Sequence, residues 1–187
     1  MPFVWVDTET TGLNGPQHDL LLAIGIILTD DSFRATARIE RYIRPEDWDV
    51  MLGLMSPVVT DMHFRSGLMR RLELHGEKMS RVEGEICDWL DKHLGRTVDM
   101  PITERPALAG NTVGFDRAML QGCMPRILER VSYRSLDVSS LKVLCYATAP
   151  RAARWDRGHP KQHTPLADLE DSLDELAHWR QALRTAP

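Results

Sequence analysis

With 187 residues, 43% of them hydrophobic, the chain can bury one proper core and is too short for two comfortable domains, so a single domain over residues 1–187 is expected. A formal net charge of −4 argues against a broad grip on duplex DNA, whose binders present basic surfaces, and leaves room for a short or single-stranded partner. No apolar run reaches bilayer length, and the chain enters a strand almost at once, so neither a membrane span nor a signal peptide is expected. Cys87, Cys123 and Cys145 are odd in number and widely spaced. Cys87 and Cys145 fall in apolar helical patterns, which predicts free thiols in a reducing cytoplasm.

Phe3 to Asp7 is a short apolar run, read as a buried strand, and the turn chemistry of residues 11–16 ends it. Leu20 to Leu28 is broken only by Gly25 and reads as a central strand. Ala35 to Ile43 partly alternates and predicts a third strand, hairpin-paired to the second. Residues 57–74 predict two short helices. Ser80 and Glu83 stand as a capping box ahead of a helix with Val82, Ile86, Trp89, Leu90 and Leu94 on one face. A polar loop over 95–106 leads to a short strand at Ala107–Gly110, and Phe115–Gly122 is helical. Ser135–Val138 reads as a strand, with Ser139 capping the helix beyond it. Residues 148–162 read as a mobile basic loop. Thr164-Pro165 then opens a last helix, Thr as N-cap, with Leu166, Leu169, Leu173 and Leu176 as its buried stripe. Strands first, then strands alternating with helices, imply an α/β fold with a mixed central sheet.

Three distant segments carry the chemistry. Asp7 and Glu9 stand two apart at a strand end, so their carboxylates project from the same face. A second Asp-x-Glu, Asp168 and Glu170, lies on a predicted helix, where that spacing separates the side chains. Asp116 lies near a helix start, and His163 precedes Asp168 by five positions. Four carboxylates converging on one point repel each other unless cations sit between them. A divalent-metal site is therefore expected, with His163 as general base for an attacking water. Two ions roughly 3.5–4 Å apart are the usual arrangement for phosphodiester hydrolysis, with Asp7 bridging, Glu9 and Asp168 on one ion, and Asp116 on the other through water. Beyond the acidic pair, Thr11-Gly12-Leu13 presents a compact turn, and Leu13 is placed to wedge against a base.

The ordered set Asp7-x-Glu9, Asp116 within Gly-Asn-Thr-Val-Gly-Phe-Asp-Arg, and His163-x4-Asp168 resembles the DEDDh branch of the 3′-to-5′ exonucleases. Within it the chain is most similar to the oligoribonucleases, over about residues 3–183. Residues 109–117, residues 133–142, and Ser66-Gly67-Leu68 preceded by His63 are its more specific stretches. The resemblance implies a ribonuclease H-like exonuclease fold, helices flanking a mixed sheet, and two Mg²⁺ or Mn²⁺ ions. It implies a homodimer acting on short single-stranded RNA down to dinucleotides, giving 5′-mononucleotides. It also implies that Leu13 wedges between bases and that His63 lines the site. Thr112, Arg134, Ser139 and Ser140 would cap a 5′ phosphate, and Tyr133 would cross the dimer interface. Hydroxyls and a guanidinium closing the far end would reject longer chains.

The chain departs from the oligoribonucleases at Thr10 (usually Met), Val58 (a Trp), Ala23 (a Glu), and in the linker from Ala147 to His163. These departures spare the hydrolytic centre and bear on substrate length and sugar. Thr10 and Val58 favour a DNA-directed exonuclease of the proofreading or repair type, while Arg134, Ser139 and Ser140 disfavour it. A non-catalytic nucleic-acid-binding module should have lost one of the five site residues, and none is missing.

Overall fold

Five strands form one sheet in the computed structural model, which describes residues 2–148 and 154–185. They are β1 (Phe3–Thr10), β2 (Leu21–Thr29), β3 (Ala35–Tyr42), β4 (Ala107–Gly110) and β5 (Ser135–Asp137). The spatial order is β3-β2-β1-β4-β5. The first three strands are antiparallel neighbours, as their short connections allow, and β4 and β5 join in parallel after helical crossovers. The sheet is thus mixed, as expected, with β1 at its centre.

Helices α1 (Trp48–Leu54), α2 (Pro57–Arg65), α3 (Leu68–His75) and α4 (Met79–Leu94) follow β3. Then come α5 (Gly114–Cys123), α6 (Pro125–Leu128), α7 (Val138–Thr148) and α8 (Pro165–Thr185). Alternation along β1 sends Val4 and Val6 to one face, where they meet Ile86 and Leu90 of α4 and Met119 and Leu120 of α5. Trp5 goes to the other face, with Ile27, Ala109, Cys145 of α7, and Leu169, Leu176 and Trp179 of α8. Each such side chain, fully buried, contributes roughly 1.5–3 kcal/mol. All nine residues of β2 are buried because both its faces are covered, which explains its nearly continuous apolar run. A third cluster joins Leu22 and Ala23 to Met51, Leu68 and Leu72 beneath α1–α3.

Two local expectations need correction. The Ser80 capping box does not form: α4 starts at Met79 with Lys78 at its N-cap. The Glu83 carboxylate instead accepts the Arg126 N–H at 2.8 Å, tying α4 to α6. Helix α7 begins one residue before Ser139, whose N–H is taken by the Asp137 carboxylate. Helix α1, which the sequence reading passed over, is capped by Asp47 accepting from the Asp49 and Val50 N–H groups. Of the expected basic loop, residues 149–153 lie outside the described residues, and 154–164 are in no regular element. Cys87 and Cys145 are free and buried, and Cys123 is free and partly buried. Among the described residues no helix is long and apolar enough to cross a membrane.

Candidate active site

The site lies where the sheet splits. β1 pairs with β4 only from Phe3 to Trp5. Beyond Gly110 the chain turns away through Asn111 and Thr112, leaving the second half of β1 paired to β2 alone. Into that gap project Asp7 and Glu9, facing the start of α8. Oxygens of Asp7, Glu9 and Asp168 lie within 4.8 Å of one another. Asp116, in the first turn of α5, stands beside this trio, accepting the Thr8 hydroxyl at 2.7 Å. All four line one cleft of about 440 Å³ together with Leu13 and His163. Glu170, the other half of the second Asp-x-Glu, points away to Arg38 at 3.3 Å, as helical spacing requires.

The electrostatics are those of a cluster short of positive charge. Burial, then the charges of Asp116, Glu9 and Asp168, pushes the Asp7 carboxyl well above the usual range. Burial, then Asp168, raises Glu9 to about 7. Burial raises Asp116 to about 6 against the opposing Thr8 hydrogen bond. Asp168 Oδ1 is buried without a hydrogen-bond partner. An orphaned carboxylate oxygen beside two crowded carboxylates is a donor set suited to a divalent cation, so the residues fit the metal the sequence implies.

His163 sits at the cleft just before α8, at a left-handed φ of 53° unusual for a non-glycine residue. Desolvation, then the charge of Lys161, lowers its pKa below the usual imidazole value. Lys161 is the residue sequence reading missed: its Nζ lies 2.8 Å from Asp168 Oδ2. In the sequence it is one cation of a basic loop, with no periodicity to single it out.

The remaining expected residues divide. Leu13 is 83% exposed at the cleft rim. Its turn is held by buried Asp19, also not anticipated, which accepts the Asn14 and Gly15 N–H groups and the Thr11 hydroxyl. His63 does not line the cleft; it is fully buried. Its Nε2 lies 2.9 Å from the Thr10 carbonyl and its Nδ1 3.8 Å from Glu9 Oε2, so it braces the end of β1 from behind. Thr112 lines the cleft with φ 53°, its N–H taken by Asp137 and its hydroxyl 3.0 Å from that of Ser139. The Ser140 hydroxyl donates to Asp137 at 3.3 Å. Ser139 donates to Asn111, whose amide is fixed by Ser172 and Glu175 of α8. Tyr133 and Arg134 are exposed and outside the cleft lining. The Arg134 guanidinium lies 4.9 Å over the Tyr133 ring and donates to the Thr103 carbonyl.

A strand-end acidic pair, a helix-borne acid facing it and an adjacent histidine make a cluster with the chemistry that metal-dependent hydrolysis needs. A family model described as Exonuclease (RNase T) matches residues 4–176, and the chain belongs to that family. The chain is 34% identical over 182 residues to an oligoribonuclease of Cutibacterium acnes, covering 96% of this chain and 85% of that one. It is 32% identical over 185 residues to an oligoribonuclease of a Mycobacterium species, covering 98% and 82%. The fold matches exonuclease I of Methylocaldum szegediense with a TM-score of 0.68 at 18% identity, over 96% of this chain. It also matches E. coli exonuclease I bound to a dA16 oligonucleotide, with a TM-score of 0.68 at 17% identity over 94%. The chain spans only 41% and 40% of those two proteins, so they bear on fold alone: the ribonuclease H-like α/β architecture.

Proposed function

We propose that this protein is a metal-dependent 3′-to-5′ exoribonuclease that hydrolyses short single-stranded oligoribonucleotides, down to dinucleotides, to 5′-mononucleotides. The observation that carries this reading is the convergence of Asp7, Glu9 and Asp168 within 4.8 Å, in a chain of oligoribonuclease ancestry over nearly its whole length. Asp7, Glu9, Asp116 and Asp168 would hold Mg²⁺ or Mn²⁺, two ions per site, which when bound neutralise the scissile phosphate and lower the cost of forming the nucleophile. The imidazole of His163, held neutral by its lowered pKa, takes the proton of the attacking water. Leu13 offers its exposed side chain to a base. The hydroxyls of Thr112, Ser139 and Ser140, with Arg134 swinging in from the surface, would close around a 5′ phosphate and so limit length. His63 acts on this site by positioning Glu9 and the Thr10 carbonyl.

We further take residues 1–187 as one exonuclease domain, working as a homodimer in a reducing cytoplasm. The exposed Tyr133 ring and the free thiols support those two readings. The test is turnover of labelled RNAs of two to about twenty nucleotides, and of matched DNA, with Mn²⁺. Fastest cleavage of the shortest RNAs is expected. Preference for DNA, which Thr10 and Val58 would favour, moves the assignment to a DNA-directed exonuclease.

A further inference from the structure

The segment entering α8 carries Arg157, His159, Lys161 and His163. Three of them meet acids on one face of α8, where Asp168 and Asp171 stand three apart. Arg157 Nε lies 2.6 Å from Asp171 Oδ2 and His159 Nε2 lies 3.2 Å from Asp171 Oδ1. Lys161 Nζ lies 2.8 Å from Asp168 Oδ2 and lines the cleft with Asp7 and Glu9. The strap therefore has two separate attachments. One, at Asp171, is outside the cleft; the other ends on a carboxylate of the hydrolytic centre.

We propose that Lys161 is the resident counter-cation of the carboxylate cluster, and that a divalent metal must displace its ammonium from Asp168 in order to bind. Without metal, four acids in one cleft would repel one another with only neutral hydrogen bonds to offset it. The lysine supplies one positive charge on a flexible stem, bonded to one oxygen of Asp168 and leaving the other, Oδ1, unpaired. A single ammonium satisfies the cluster incompletely, so a dication wins the exchange. The Asp171 attachment remains throughout, and it keeps His163 at the cleft while Lys161 withdraws. This inference depends on the metal reading of the site.

The test is Mn²⁺ binding to chelator-stripped protein, followed by electron paramagnetic resonance of the free ion, on the wild type, Lys161→Gln and Arg157→Gln. Lys161→Gln is expected to bind Mn²⁺ about three- to tenfold more tightly, since the competitor is gone. Its metal-free Tm falls, and the Mn²⁺-induced rise in Tm exceeds that of the wild type. Arg157→Gln loosens the same strap without touching the cluster and leaves the affinity unchanged. Equal or weaker Mn²⁺ binding by Lys161→Gln overturns the inference, and so does an equal gain in Arg157→Gln. Should Lys161→Gln not fold without metal, Lys161→Arg keeps the charge and must bind no more tightly than the wild type. A wild type that binds no Mn²⁺ overturns the metal reading as well, whereas equal affinities overturn this inference alone.

Discussion

The two halves of β1 follow opposite rules. From Phe3 to Val6 the strand is almost wholly buried, and it pairs on both sides as far as Trp5, which has no exposure at all. From Asp7 to Thr10 it has lost β4, and it lines its open side with acids whose burial, and then whose charged neighbours, push their pKa values up. The first half supplies the rigidity that the second half spends in crowding like charges. Substituting one half should therefore cost fold, and substituting the other should cost chemistry while relieving the fold.

The largest effect belongs to the second half. Asp7→Asn should lower turnover by at least about 10³-fold, because it removes the carboxylate at the centre of the cluster. The same change should raise the metal-free Tm by a few degrees, about the size expected for relieving one strained charge. Activity assays paired with calorimetry in chelator check both signs; a variant that loses activity and stability together breaks the comparison. In the first half, Trp5→Ala empties the centre of the cluster beneath α8 and strands the Thr29 hydroxyl it now meets at 3.2 Å. A loss of about 3–5 kcal/mol in urea unfolding is expected. In whatever fraction remains folded, the turnover number should stay near that of the wild type.

Gly25 links the halves. It pairs with Asp7 across β1 and β2. A Cβ there would meet the Cβ of Pro165 at 2.6 Å and its carbonyl carbon at 3.0 Å, so no larger residue fits without moving the start of α8. That start carries Asp168 and follows His163. Gly25→Ala should therefore cost about 100-fold in kcat, the scale of a misplacement of about 1 Å, with a smaller loss in stability. A kcat within threefold of the wild type would show that the start of α8 tolerates displacement.

The buried strands and the convergence of the five candidate site residues were legible in the sequence for separate reasons. Nearly continuous apolar runs such as Leu21–Leu28 admit few readings, and the acids stand at strand and helix ends where spacing alone dictates direction. Failures came where a distant partner overrode local chemistry. Glu83 would complete a capping box but is taken by the backbone of Arg126, and Ser139 yields the α7 cap to Asp137. His63 reads as a site-lining residue from the family resemblance, yet only its contact with the Thr10 carbonyl shows that it works from behind. Lys161 and Asp19 carry no periodic signal: one acts through an ion pair to a helix, the other through a turn it closes by three hydrogen bonds.

The smallest effect centres on one carboxylate and its closest coupled partner. Glu9 keeps its proton in the fold up to about 7 and releases it near 4.5 when unfolded. Between those values the native state binds more protons than the unfolded state, so this group's contribution to stability is full below about 4.5 and is lost as the pH rises to about 7. Asp116 acts in the same sense, while His63 and His163, held below the usual imidazole range, act in the opposite one. All three remain in Glu9→Gln, so the difference between variant and wild type reports Glu9 together with its coupling to Asp7, whose carboxyl the Glu9 charge helps to raise. In chelator, that variant should gain roughly 2 kcal/mol on the wild type as the pH is raised across this window. Saturating Mg²⁺ should abolish the gain, because a cation that binds the carboxylate form stabilises the wild type more as the pH rises. A difference that stays flat with pH in chelator would mean that Glu9 is strained neither by burial nor by its neighbours, and the contrast between the two halves of β1 would lose its electrostatic basis.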